Sequence, residues 1–110
     1  MTCHFFDCEL RWLVRVRLGY SLRRNELSLE VERIGVDPGQ RRPAFLYSSF
    51  HDLFDGGGDV DYYRQRLEQL GLVVPDSMFQ AVEEDASRGV GFRCAQHFAD
   101  GRIVEPAADC

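Results

Sequence analysis

The segment from Leu10 to Leu18 alternates between apolar and polar side chains, and no other feature of the sequence restricts the fold as strongly. Its apolar members are Leu10, Trp12, Val14, Val16 and Leu18, with arginine at positions 11, 15 and 17. Successive side chains of a strand point to opposite faces, so this period of two is typical of a strand with one buried face. The chain is therefore expected to build a sheet that packs against a core.

A second alternating run, residues 27–31, follows an eight-residue polar connection. The two runs predict an antiparallel hairpin, and we expect a register that sets Val14 opposite Val31 and Arg15 opposite Glu30. A slip of one residue would turn the apolar side chains toward solvent, so the pattern fixes which face is buried.

A third strand is predicted at residues 44–50, and the spacing becomes helical after Asp59. One stripe of this first helix is formed by Val60, Tyr63, Leu67 and Leu70. Asp59 is a suitable N-cap, and Gly71 suits the left-handed position that ends a helix. We expect Leu72 to close this end by contacting Leu67.

A second helix is expected from Pro75 to Gly89, with Ser77 and Gln80 as a capping box at its start. The side chains expected to face inward are those of Met78, Phe79, Val82 and Ala86. Glu84 and Arg88 stand in the order that favours an ion pair across one turn.

The two-residue repeat of apolar side chains returns at residues 90–98, which predicts a strand. The Asp100-Gly101 pair predicts a hairpin turn from this strand into a short final strand. We therefore expect an α+β fold, in which two helices pack on one face of an antiparallel sheet of four to five strands. Residues 1–110 suit a single domain, with a frayed tail at 106–110. No apolar run approaches the ~18 residues that a membrane-spanning helix needs.

Charge is distributed unevenly along a chain whose net charge is -5. Residues 1–42 hold eight Arg and six acids, whereas residues 43–110 hold five Arg and twelve acids. The acidic total argues against a general nucleic-acid binder. The four cysteines, at positions 3, 8, 94 and 110, are too few for a disulfide scaffold, so we expect them to be reduced and the protein to be cytoplasmic.

No metal or other cofactor is expected. Cys94 and His97 are zinc ligand types, but three residues apart on one strand they would project from opposite faces. Cys3 and Cys8 would diverge in the same way if their segment is extended. The acidic, glycine-rich residues 52–61 lack the ligand spacing of a calcium loop, and they lack the lysine of a phosphate-binding loop.

Recognised catalytic motifs are absent from the sequence. Two histidines remain as candidate bases: His51 beside Asp52 and Asp55, and His97 near Asp100. A general base also needs a partner that orients it and a site that excludes water. A small enzyme that uses His51 or His97 with a nearby aspartate is therefore kept as an alternative.

Arginines outnumber acids in the first part of the chain and offer a second alternative, nucleic-acid binding. The candidate contacts lie in two predicted loops: Arg23, Arg24, Arg41 and Arg42. Glutamates on the partner strand should offset the arginines of the hairpin itself. We therefore expect nucleic acid not to be the partner.

Acidic residues dominate the second part, and we expect a negative surface there that includes Asp55, Asp59, Glu83 and Glu84. Such a surface can steer a basic patch of another protein into contact. The sequence thus favours a small, non-catalytic protein-binding domain of the accessory or inhibitor type, acting through charged surfaces. A sharper version is an inhibitor of a nucleic-acid-handling complex, of the kind that mobile elements encode. An exposed sheet edge would also allow a homodimer.

Overall fold

The computed structural model describes residues 1–9, 13–34, 45–51 and 59–107, and it confirms the α+β class. The strands are β1 (Thr2–Glu9), β2 (Leu13–Ser21), β3 (Glu26–Arg33), β4 (Phe45–Ser48), β5 (Arg93–His97) and β6 (Ile103–Val104). The helices are α1 (Val60–Gln69) and α2 (Asp76–Arg88), and a single 3-10 turn covers Ser49–His51.

The six strands form one sheet in the order β4-β3-β2-β1-β5-β6. Neighbours are antiparallel, as expected, except β1 and β5, which are parallel, so the sheet is mixed and has one strand more than the four to five predicted. The difference lies in β1, a central strand that was not predicted. Its Phe5 and Phe6 are buried on opposite faces, and burial on both faces removes the alternation that reveals a strand.

The β2–β3 hairpin forms with the expected face buried but in a different register. Val16 pairs with Val31, and Arg17 pairs with Glu30, two residues away from the predicted alignment. A shift of two preserves the faces, so the apolar pattern cannot distinguish the two registers. The observed one results because β2 continues through Gly19 to Ser21, which leaves a short turn in place of an eight-residue connection.

Gly19 explains why a glycine stands inside a strand. A Cβ atom at this position would lie 2.5 Å from the backbone oxygen of Thr2 on β1. The residue therefore allows β1 and β2 to approach closely, and it does not mark a turn.

Helix α1 has the predicted ends. The side chain of Asp59 accepts a hydrogen bond from the backbone N–H of Tyr62 at 2.9 Å. Gly71 has a φ of +75°, and the N–H of Leu72 donates to the carbonyl oxygen of Leu67 at 3.0 Å. These contacts satisfy backbone groups that the helix leaves unpaired.

Helix α2 ends as predicted at Gly89, whose φ is +65°. Glu84 and Arg88 form the expected ion pair, at 3.0 Å. The capping box is wrong, because Pro75 is the N-cap and Ser77 lies within the helix. The hydroxyl of Ser77 instead contacts a histidine of β5.

The core lies between the two helices and one face of the sheet. Its fully buried side chains come from both layers: Val14, Val16, Leu18, Leu29, Val31, Tyr63, Met78 and Val82. Within the segment expected to be a frayed tail, Ala107 is buried and its N–H donates to the carbonyl oxygen of Cys94 at 3.1 Å. Residues 108–110 lie outside the described residues.

The cysteines differ from the expectation at one position. Cys94 is disulfide-bonded, whereas Cys3 and Cys8 are free. The prediction of reduced cysteines is therefore wrong for Cys94, and this removes the argument on which a cytoplasmic location rested. Neither helix in the described part of the chain has the length and apolar character to cross a membrane.

Candidate functional site

A continuous chain of hydrogen bonds joins four side chains where helix α2 packs on strands β1 and β5. Ser77 Oγ lies 2.8 Å from His97 Nδ1, and His97 Nε2 lies 2.9 Å from His4 Nδ1. His4 Nε2 lies 2.6 Å from Asp85 Oδ2. We refer to Ser77, His97, His4 and Asp85 as the histidine relay.

Three elements place these groups. His4 lies opposite Ala95 in the parallel β1–β5 pair, so His4 and His97 share the sheet face that α2 covers. Ser77 stands in the first turn of α2, and Asp85 lies about 12 Å further along the helix axis at the rise of an α-helix. The helix thus holds a hydroxyl at one end of the two rings and a carboxylate at the other.

The relay is closed to solvent at three of its four members. His4 and Asp85 are 0% exposed and His97 is 1% exposed, whereas Ser77 is half-buried. Burial, followed by the neighbouring charges of His4 and Arg93, lowers the pKa of His97 to about 4. Burial likewise lowers the pKa of His4, against the opposing effect of Asp85. Both rings are therefore neutral at pH 7.

Asp85 is the charged end of the relay. Burial alone would raise its pKa, but hydrogen bonds from His4, Arg93 and Thr2 bring the pKa below the usual value of an aspartate. Arg93 donates from a terminal guanidinium nitrogen to Asp85 Oδ1 at 3.0 Å, and from Nε to Glu105 at 2.8 Å. The carboxylate is thus ionised and compensated within the protein.

These protonation states fix the direction of every hydrogen bond. An ionised Asp85 only accepts, so His4 carries its proton on Nε2 and presents a bare Nδ1. His97 must then donate from Nε2 to His4, which leaves its own Nδ1 as an acceptor. Ser77 consequently donates its hydroxyl proton to His97, and the bare base faces the serine.

His97 lies at the end of β5, as the sequence predicted, and the hydrogen bonds of its ring join it to Ser77 and His4. Asp100 accepts from the N–H of Arg102 at 2.9 Å, within the β5–β6 turn. The carboxylate of the relay is Asp85, which reaches His97 only through His4. The other predicted base, His51, has a side chain outside the described residues, as do Asp52 and Asp55.

Sequence reasoning missed Ser77, His4 and Asp85 as a group, although one signal was present. Asp85 falls seven residues after Met78, on the stripe that buries Val82. A carboxylate on the buried stripe of a helix requires a polar partner in the core, and this requirement could have prompted a search for one.

Two arginines of β2, Arg15 and Arg17, are paired with carboxylates of neighbouring strands. Arg15 donates to both oxygens of Asp7, at 2.7 and 2.9 Å, and Arg17 forms an ion pair with Glu32. The expected opposition of Arg15 to Glu30 is wrong, because of the register and because β1 supplies Asp7.

The predicted nucleic-acid contacts are only partly described. Arg23 and Arg24 are exposed in the β2–β3 turn, whereas Arg41 and Arg42 lie outside the described residues. The nucleic-acid alternative therefore stays a prediction.

Two of the predicted acidic residues lie together. Asp59 and Glu83 line one groove of about 260 Å³ with Asp61, above a floor of Leu27 and Val60. We refer to these five residues as the acidic groove. Glu84 is exposed beside it but is not among its lining residues, and Asp55 lies outside the described residues.

Known proteins offer no guide to this site. No protein-family model, curated protein or solved structure matches the chain.

Among the described residues, no three His, Cys, Asp or Glu side chains are grouped so that they could hold a metal ion. Cys94 and His97 do project from opposite faces of β5, as the spacing predicted, since Cys94 packs with Phe5 and Ala107.

Proposed function

We propose that this protein is a protein-binding domain of the accessory or inhibitor type, and that the acidic groove receives a basic segment of its partner. The observation that carries the proposal is the convergence of Asp59, Asp61 and Glu83 from two helices on one apolar floor. An inhibitor of a nucleic-acid-handling complex is the sharper form of the proposal, since such complexes carry basic surfaces.

The chemistry of the groove suits an arginine or a lysine. Both side chains carry an aliphatic stem, which can pack on Leu27 and Val60, and a cationic head, which can pair with the surrounding carboxylates. Asp59 is held in place by its bond to the N–H of Tyr62, so part of the groove is formed before a partner arrives.

Electrostatic attraction should increase the association rate of the two proteins more than the affinity of their complex. An exposed ion pair contributes only about 0.2–1 kcal/mol, so three carboxylates alone cannot give a tight complex. They can accelerate and orient the approach of a basic surface to a chain that carries eighteen acids and thirteen arginines. Association should accordingly slow as salt is added.

Adjacent glutamates on α2 provide a matched test. Glu83 lines the acidic groove and Glu84 does not, and both are exposed. Cross-linking capture from a lysate of the source organism, quantified by mass spectrometry, should recover a protein with wild type and with Glu84→Lys but not with Glu83→Lys. Equal recovery by both variants would contradict the acidic groove as the binding site, and recovery of background proteins alone would contradict the proposed function.

A further inference from the structure

We propose that Ser77 is a nucleophile activated by the histidine relay, which accepts acyl groups from small activated esters and passes them to water. Ser77 is not among the residues that line the acidic groove, so the proposed reaction is independent of the proposed function. It takes up the alternative of a small enzyme that uses His97, with Asp85 in place of Asp100.

The hydroxyl group of Ser77 adjoins a base that can accept its proton. Ser77 Oγ lies 2.8 Å from His97 Nδ1, which is within reach for proton transfer to a base. Because Nε2 of His97 is already occupied by its bond to His4, Nδ1 is the nitrogen that accepts the proton. A serine is a weak nucleophile unless such a base adjoins it and a third group orients the base.

The histidine relay can stabilise the positive charge that forms on His97 during the reaction. When His97 takes the serine proton, it becomes an imidazolium whose Nε2–H points at His4. His4 in turn donates to the carboxylate of Asp85, so the positive charge develops along a line that ends in a fully buried anion. His4 and Asp85 are thus positioning residues, whereas Ser77 and His97 would contact the reacting atoms.

Ser77 stands in the first turn of α2, where the N-cap residue, Pro75, provides no side-chain hydrogen bond. The N–H of Met78 donates to the carbonyl oxygen of Pro75 at 3.1 Å, and the N–H groups that precede it in the helix have no intrahelical acceptor. These groups and the helix dipole favour the negative charge that forms on a carbonyl oxygen beside Ser77.

The reaction balances without a further reactant. Ser77 Oγ bonds to the ester carbonyl carbon while its proton moves to His97 Nδ1. The tetrahedral intermediate then expels the alcohol, which takes that proton and leaves an acyl-serine. Water repeats the sequence: its proton goes to Nδ1, its oxygen bonds to the acyl carbon, and Ser77 leaves as the hydroxyl by recovering the proton.

The exposure of Ser77 indicates the substrate class. Its side chain is half-buried, and neither the acidic groove nor the groove between α1 and α2 that Phe79 lines includes it. A substrate that reaches Ser77 directly from solvent would have little of its surface enclosed. Small esters with good leaving groups fit this limit, because their reaction needs little binding energy.

The test uses a fluorophosphonate probe and p-nitrophenyl acetate on the intact protein. The fluorophosphonate should bond through phosphorus to Ser77 Oγ and release fluoride, and peptide mass spectrometry should place the added mass on Ser77. Ser77→Ala should abolish both this labelling and the release of nitrophenolate. Ser87→Ala is the matched control, because Ser87 is exposed on the same helix and its hydroxyl bonds the carbonyl oxygen of Glu84.

A variant of His97 tests whether Ser77 reacts because His97 activates it or only because Ser77 is accessible to the probe. His97→Gln should keep Ser77 in place and slow labelling by about 100-fold, as expected when a general base is lost. Circular dichroism and urea unfolding would establish that each variant is folded, and Ser77→Ala, at a half-buried position, keeps the test open if His97→Gln does not fold. Absence of labelling in wild type, labelling that survives Ser77→Ala, or equal rates for wild type and folded His97→Gln would each overturn the proposal.

Discussion

His4 Nε2 and Asp85 Oδ2 lie 2.6 Å apart, and both side chains are fully buried. The contact joins a central strand, β1, to a helix that begins more than seventy residues later in the chain. A buried carboxylate is costly unless it is compensated, and Asp85 is compensated by His4 and by Arg93 together. The fold and the histidine relay therefore depend on the same residue.

Removal of this carboxylate should destabilise the protein strongly. Asp85→Ala should lower the free energy of unfolding by about 3 kcal/mol, because it leaves the buried His4 without its acceptor and removes one of the two carboxylates that pair with Arg93. Urea denaturation followed by circular dichroism measures the change. Asp76→Ala on the same helix is the control. Its carboxylate is 74% exposed in an ion pair with Arg64, so a loss below about 1 kcal/mol is expected. Similar losses for the two variants would contradict the buried network.

Acid should destabilise the protein at a pH where ordinary carboxylates are still charged. The pKa of His97 is lowered from 6.5 to about 4 in the folded state, so protons bind the unfolded chain more readily. Stability is then complete above pH 6.5 and falls as the pH drops toward 4, by about 3 kcal/mol for this one group. The lowered pKa of His4 acts in the same direction.

Urea denaturation at a series of pH values between 7 and 4 measures this effect. His97→Gln is the control, because it removes one of the titrating groups and should flatten the dependence. A free energy of unfolding that stays constant or rises as the pH falls from 6.5 to 4 would show that the rings are not held neutral.

Gly19 should not tolerate a side chain. Gly19→Ala would place its Cβ 2.5 Å from the backbone oxygen of Thr2, which cannot move without separating β1 from β2. We expect a loss of about 2–3 kcal/mol, at the upper end of the usual cost of overpacking. Gly91→Ala is the control, since the nearest atom to its Cβ is a flexible Leu22 methyl at 3.7 Å. Thermal unfolding of both variants measures the difference. If the close approach of β1 and β2 is the cause, only Gly19→Ala should lower the melting temperature strongly. An equal decrease for both variants would contradict this explanation.

The sequence was sufficient to predict elements whose burial is one-sided. Val14, Val16 and Leu18 alternate because only one face of β2 meets the core, and Tyr63 and Leu67 repeat because only one stripe of α1 does. The ends of α1 could also be predicted, since Asp59 and Gly71 determine them through local backbone conformation and hydrogen bonds to nearby residues.

The rest depended on contacts between distant segments. β1 is buried on both faces, so its own side chains carry no alternation, and its neighbours β2 and β5 come from opposite ends of the sequence. Ser77 resembled a cap because local spacing fits a capping box, yet its hydroxyl is taken by His97. The histidine relay forms only when β1, β5 and α2 pack together, and no local sequence pattern predicts that packing.

The most direct measurement is the tautomeric state of His4 and His97, read from the ring ¹⁵N chemical shifts of the protein at pH 7. With resonances assigned by comparison with His51→Ala, both rings should be neutral, with the proton on Nε2 and a bare Nδ1. An imidazolium at either position, or a proton on Nδ1 of either ring, would contradict the direction of the relay and the state of Ser77 that follows from it.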